Sequence, residues 1–133
     1  MEDIINRDRT EIEIRQMSPL TWAYVGDSVY ELYIRNHLVN SSMYKPNKLH
    51  IESIKYVKAS AQANLLKKLD SILTDEEKDI AKRGRNAENH HIAKNASLDE
   101  YSHSTAFEAL IGFLYLTKQD SRLKQILEIC IGK

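Results

Sequence analysis

Residues 18–35 read Ser-Pro-Leu-Thr-Trp-Ala-Tyr-Val-Gly-Asp-Ser-Val-Tyr-Glu-Leu-Tyr-Ile-Arg. Ser18 suits a helix N-cap, where its hydroxyl oxygen can accept from a free backbone N–H. Pro19 suits the first helical position, where a missing N–H is no loss. The apolar residues that follow are Leu20, Trp22, Ala23, Tyr24, Val25, Val29, Tyr30, Leu32, Tyr33, Ile34 and Leu38, and together they surround the axis. This pattern predicts a helix over about 20–39, central in the fold and buried on most sides. Asp27 falls in its middle, where a carboxylate is unfavourable unless it is paired or holds a cation.

The pattern outside this stretch is also helical. A second helix is expected over 47–69 after Pro46, with Ile51, Ile54, Val57, Ala61, Leu65 and Leu69 along one stripe. A third opens at Thr74, where Glu77 completes a T-x-x-E capping box; it reaches about Lys82 and either carries on into, or breaks at, the Arg83-Gly84-Arg85-Asn86 stretch. Residues 84–97 are polar and basic and read as an exposed loop. Ser97 and Glu100 form another capping box, opening a helix over 98–117 that is again apolar nearly all round, with Glu108 embedded in it. A short amphipathic helix over 120–131 closes the chain. Alternating strand patterns are nearly absent, so the fold class is all-α, and 133 residues suit one domain.

The 19 basic and 19 acidic side chains cancel. A neutral chain does not hold nucleic acid by bulk charge, although a local basic face can still do so. Cys130 stands alone, which rules out an intramolecular disulfide and suits a small buried hydrophobe. The polar N-terminal residues 1–9 do not form a signal peptide, and no apolar run reaches the roughly 18 residues a membrane span needs. A soluble, cytoplasmic protein is expected.

Each of the two most apolar helices therefore carries one acid. If the helices pack together, Asp27 and Glu108 can face each other, and such a pair needs a shared proton or a cation between its members. Hard oxygen ligands select Mg²⁺ or Mn²⁺. On pattern alone, each acid can instead be a helix-surface residue or part of a buried ion pair with Arg35 or His37. Glu31, four residues after Asp27, shares its helix face and is an auxiliary candidate, with Arg35 its alternative partner. Ser28 lacks a Gly-x-Ser-x-Gly elbow and reads as a small packing residue, not a nucleophile. His90-His91 lacks the His-Asp dipeptide that an HD-type phosphohydrolase would need.

Tyr24-Val25-Gly26-Asp27-Ser28-Val29 resembles the first signature block of the ribonuclease III family. Phe107-Glu108-Ala109-Leu110-Ile111-Gly112 is similar to its second block letter for letter. The longer stretches AYVGDSVYELYIR, KRGRNA and STAFEALIGFLYL resemble more specifically the Mini-III branch, a nuclease domain without a separate double-stranded-RNA-binding domain. The resemblance spans roughly residues 16–131, leaving 1–16 as an N-terminal extension. It implies the ribonuclease III endonuclease-domain fold, a compact helical bundle forming a symmetric homodimer.

The resemblance also implies metal-dependent endonucleolytic cleavage of double-stranded RNA to 5′-phosphate and 3′-hydroxyl ends. Asp27 and Glu108 would be the catalytic, Mg²⁺-holding carboxylates, with Mn²⁺ as a substitute. The implied substrate is precursor 23S ribosomal RNA, cut in the stem pairing its ends, and a ribosomal protein is a further implied partner. Family acids are expected at positions occupied here by Leu20, Ala23 and Thr105. The site is thus sparser, and Thr105 can offer an oxygen directly or through water. A non-catalytic, ribosome-associated RNA-binding member is the alternative that this thinning supports. Arg83, Arg85, Asn86, His90, His91 and Lys94 are the expected RNA-contacting residues, with Lys45 and Lys48 a second group. Trp22 and Tyr24 are candidates for the dimer contact.

Overall fold

Glu11–Arg15 form a first short helix, α1, opened by a capping box in which the Thr10 hydroxyl accepts from the Glu13 N–H and Glu13 reaches back to the Thr10 N–H. The structure, a computed structural model, describes residues 4–87 and 97–133. Among these residues every secondary-structure element is an α-helix. α1 lies in the stretch read as an extension and buries Ile14, whose carbonyl accepts from the Trp22 indole N–H at 2.8 Å.

The helix α2 spans Pro19–Ser41, with Ser18 accepting from the Leu20 N–H at its start. The single helix expected over 47–69 is two, α3 (Pro46–Val57) and α4 (Ala59–Leu69), divided at Lys58, whose backbone is extended. Neither glycine nor proline marks the break, so periodicity alone runs through it. The break lets α3 pack on α2 while α4 lies on a different neighbour, α6 (Leu98–Leu116). The Val57 carbonyl next to the break accepts instead from the Gln62 side chain at 3.1 Å.

The helix α5 spans Asp75–Asn86, opened by the Thr74–Glu77 capping box. It continues through the Arg83–Asn86 stretch, one of the two courses the sequence left open there. Gly84 is the reason: it is a contact residue, not a helix breaker. A Cβ there would come within 2.6 Å of the Ala109 side chain on α6. The last helix, α7, covers Asp120–Cys130.

α6 is the central element, contacted by α2, α4, α5 and α7. Phe107, Leu110, Ile111, Phe113 and Leu114 are buried around it. Tyr30 of α2 meets Phe107 edge to face at 4.9 Å, and Trp22 meets Phe113 at 5.1 Å, geometries that suit aromatic quadrupoles. Cys130 is buried, and burial pushes its thiol up to about 12, as an inert packing residue requires.

Arg122 of α7 ties down the start of α5. Its Nε and one terminal nitrogen donate to the two Glu77 oxygens, each at 2.8 Å, and the same terminal nitrogen donates to the Ile72 carbonyl at 2.7 Å. Burial alone would raise Glu77, but the Arg122 guanidinium and the Thr74 N–H outweigh it and hold the carboxyl below its ordinary value. Removing one partner of a buried, hydrogen-bonded pair strands the other charge. Arg122→Met is therefore expected to lower unfolding free energy by about 3 kcal/mol in urea titration. The difference shrinks as pH falls from the variant's Glu77 value, higher without the guanidinium, to the wild type's depressed one, because protonation removes the stranded charge.

Candidate active site

Two glycines bring the acids together. Gly26 of α2 lies against α6 so closely that a Cβ there would sit 1.8 Å from the Glu108 carbonyl oxygen and 2.7 Å from the Gly112 nitrogen. Reciprocally, a Cβ on Gly112 would sit 1.8 Å from the Trp22 carbonyl oxygen. The two backbones touch at this crossing. Asp27 follows one glycine directly and Glu108 precedes the other by one helical turn, so the crossing sets one carboxyl against the other.

Asp27 is exposed, a helix-surface position despite the apolar run around it. The reason is angular: α6 covers the Gly26 side of α2, and the next residue, about 100° further round the axis, clears that cover. Glu108 is partly covered. Burial, then its contact with the Asp27 carboxyl and that group's charge, push it up to about 8, while the Gln62 side chain acts in the opposite direction. Near neutral pH Glu108 is therefore the acid that keeps a proton. One acid open to solvent and one held from behind form a site that a cation can enter.

The other expected residues fall as follows. Ala23 is buried and offers no oxygen from its side chain. Thr105 is buried one turn before Glu108, its hydroxyl donating to the Tyr101 carbonyl at 3.0 Å. Glu31 is engaged by Arg35 at 2.8 Å, the alternative partner foreseen for it. His37 packs edge to face on Tyr56, so neither Arg35 nor His37 neutralises the Asp27–Glu108 pair. Ser28 is exposed, not packed. Trp22 is a core residue at 0% exposure, which removes it as a dimer contact; Tyr24 is 78% exposed.

Arg83, Arg85 and Asn86 occupy the last turn of α5 rather than a loop. Arg83 pairs with Asp79 at 3.2 Å, whereas Arg85 lines a cavity of about 560 Å³ with Lys67, Lys78, Lys82 and His103. His90, His91 and Lys94 lie outside the described residues. Lys48 pairs with Glu52 at 3.2 Å, and Lys45 stands at the N-cap of α3.

Gln62 is the site residue that sequence reading missed. It is 1% exposed, and its side-chain carbonyl accepts from the Ser104 hydroxyl at 2.6 Å. Its only sequence signal is an amide set between Ala61 and Ala63 in an amphipathic helix, which does not name a partner two helices away. Among the described residues, no group of three or more His, Cys, Asp or Glu side chains could hold a metal ion.

Residues 20–119 match the Ribonuclease III domain family model. The chain is 46% identical to a Mini-ribonuclease 3 of Enterococcus faecalis, over 91% of this chain and 93% of that protein. It is 50% identical to a Mini-ribonuclease 3 of Staphylococcus aureus, over 86% of this chain and 87% of that protein. A crystal structure of a Fusobacterium nucleatum protein superposes with a TM-score of 0.80 at 32% identity, covering 92% of this chain and 97% of that one.

Proposed function

Because the chain belongs to the ribonuclease III family, and within it to the Mini-ribonuclease 3 branch, we propose that Asp27 and Glu108 are the carboxylates with which it hydrolyses double-stranded RNA. It is an endoribonuclease acting on double-stranded RNA. The observation that carries the site assignment is the Gly26–Gly112 crossing, which sets these two acids against each other at the edge of α6.

The family is generally dependent on a divalent metal, and this donor set fits one. Two hard oxygen donors lie together, one open to solvent, and their mutual repulsion is a disfavoured state that a cation would relieve. Asp27 and Glu108 would hold Mg²⁺, or Mn²⁺ in its place, with Thr105 contributing directly or through water. Bound there, such an ion supplies acidified water and charge neutralisation for a phosphate in transfer. Asp27, being exposed, is the acid that meets incoming RNA. Glu108 is held in place from behind and must give up its proton before the pair carries two charges. Glu31, engaged by Arg35, has an auxiliary place at most.

The products would carry 5′-phosphate and 3′-hydroxyl ends, and the physiological substrate would be the stem joining the two ends of precursor 23S ribosomal RNA. The chain would act as one catalytic unit and as a cytoplasmic homodimer, each subunit cutting one strand. Tyr24, exposed on α2, supports such a contact. No helix among the described residues is long and apolar enough to cross a membrane.

Incubation with duplex RNA and Mg²⁺ is the test. Cleavage to 5′-phosphorylated fragments, abolished by EDTA, is the expected result; duplex binding without product in Mg²⁺ or Mn²⁺ would establish the non-catalytic RNA-binding alternative instead. Unprocessed 23S ends in RNA sequenced from a depleted strain would identify the substrate.

Arg83, Arg85, Asn86, His90, His91, Lys94 and, more weakly, Lys45 and Lys48 are proposed to contact the RNA. Arg85 is favoured over Arg83, whose charge is already engaged by Asp79. Each phosphate contact contributes about one unit to the slope of log affinity against log salt. Arg85→Ala should therefore flatten that slope by about one unit, and Arg83→Ala by less, in filter-binding titrations made in Ca²⁺.

A further inference from the structure

Gln62 stands where three elements meet. It belongs to α4, and its amide N–H donates to the carbonyl of Val57, the last residue of α3, at 3.1 Å. Its carbonyl accepts from Ser104 of α6 at 2.6 Å, one turn before Glu108. Ser104 and Glu108 lie one turn apart on α6, so the anchored amide sits beside the Glu108 carboxyl. No buried side-chain nitrogen or oxygen among the described residues lacks a hydrogen-bond partner, so this amide is satisfied at both ends.

An amide so placed is a poor choice for packing alone. Leucine or methionine fills a similar volume with no polar atoms to satisfy. What an amide adds is direction. It cannot ionise over any working pH, and its own orientation is fixed from two sides. With Ala23 and Thr105 in place of further acids, few ligands remain to orient a cation, so the geometry of the remaining two matters more.

We propose that Gln62 is a positioning residue for Glu108: anchored by Ser104 and Val57, it aims the Glu108 carboxylate at the cation site shared with Asp27. This rests on the assignment of Asp27 and Glu108 as metal-holding acids. Groups that orient a metal ligand typically carry 10–100-fold in metal affinity.

Mn²⁺ affinity, read by the electron paramagnetic resonance of free Mn²⁺ on the full chain without RNA, tests this. Gln62→Met should weaken binding by about 10–100-fold, and Ser104→Ala, which frees one end of the amide, by several-fold. Duplex cleavage by both variants should recover at saturating Mn²⁺, while the KM for RNA stays put. A purely structural role would instead lower Tm and reduce cleavage at every Mn²⁺ concentration. Wild-type Mn²⁺ affinity in a folded Gln62→Met overturns the proposal. If that variant does not fold, unchanged affinity in Ser104→Ala overturns it equally. Wild-type Mn²⁺ binding that Asp27→Asn leaves untouched would sink the underlying site assignment, a separate failure.

Discussion

Asp27→Asn and Glu108→Gln are each expected to lower duplex cleavage by about a thousandfold or more while RNA binding in Ca²⁺ is retained. Replacing either carboxylate by its amide removes a formal charge from a two-acid site and keeps the side-chain shape. Metal-assisted charge stabilisation is worth several kcal/mol in such reactions, and about 4 kcal/mol corresponds to a thousandfold. A site with more acids would blunt single substitutions; with two, neither has a stand-in. Single-turnover gel assays read the effect, and cleavage by either variant at the wild-type rate would remove both residues from the mechanism.

The stability of the two variants should diverge with pH. Asp27 is exposed, so its amide variant stays within about 0.5 kcal/mol of wild type. Glu108 is pushed up to about 8 from an ordinary 4.5. Between those values the metal-free folded chain holds a proton that the unfolded chain has released, so stability falls as pH rises through that window. Glu108→Gln has no proton to lose there. Its metal-free Tm should match wild type near pH 5 and exceed it above pH 8. Added Mg²⁺ should narrow the gap at high pH by stabilising only the wild type, and the apparent Mg²⁺ affinity of wild type should climb with pH to about 8. A wild-type Tm flat from pH 5 to 9 relative to Glu108→Gln would show that burial does not hold the proton there.

The chain's helices are legible because their ends are written locally. Ser18-Pro19, Thr74-x-x-Glu77 and Ser97-x-x-Glu100 each satisfy backbone donors within a few residues, and each cap forms as its spacing implies. The break at Lys58 is not legible. Nothing in Val57-Lys58-Ala59 opposes a continuous helix; the turn is set by α4 packing on α6, a partner some forty residues away. Gly84 leaves its helix's course open for a similar reason, since a glycine that admits a neighbouring helix has the same letter as one that ends its own. At the site, Asp27 and Glu108 stand out as acids in apolar runs, but the degree of burial does not follow from the run. Asp27 escapes cover because of where the helices cross, and Gln62 becomes a site residue only once α4 lies beside Glu108.

Gly26→Ala should be the most damaging single-methyl change in the molecule. A methyl group there meets backbone, not a side chain that can turn aside: the Glu108 carbonyl oxygen at 1.8 Å, and the Gly112 nitrogen at 2.7 Å. Relief requires α2 and α6 to move apart, and these two helices make the most extensive contact in the fold. Separation would open the Trp22–Phe113 and Tyr30–Phe107 contacts together, since all four rings sit on the same interface. Small-to-large changes in packed cores typically cost 1–3 kcal/mol when side chains can adjust; with two rigid backbones in contact, about 3 kcal/mol is a lower bound, roughly a 10 °C fall in Tm for a chain of this size. Gly112→Ala, facing the Trp22 carbonyl at 1.8 Å, should behave alike. Ser28→Ala, two residues along the same helix and exposed, should leave Tm nearly unchanged. Whatever fraction of Gly26→Ala folds should also cleave poorly, because moving the helices apart separates Asp27 from Glu108. A Gly26→Ala protein with wild-type Tm and cleavage would mean that the two backbones do not touch in solution, and the geometric basis for pairing the two acids would go with them.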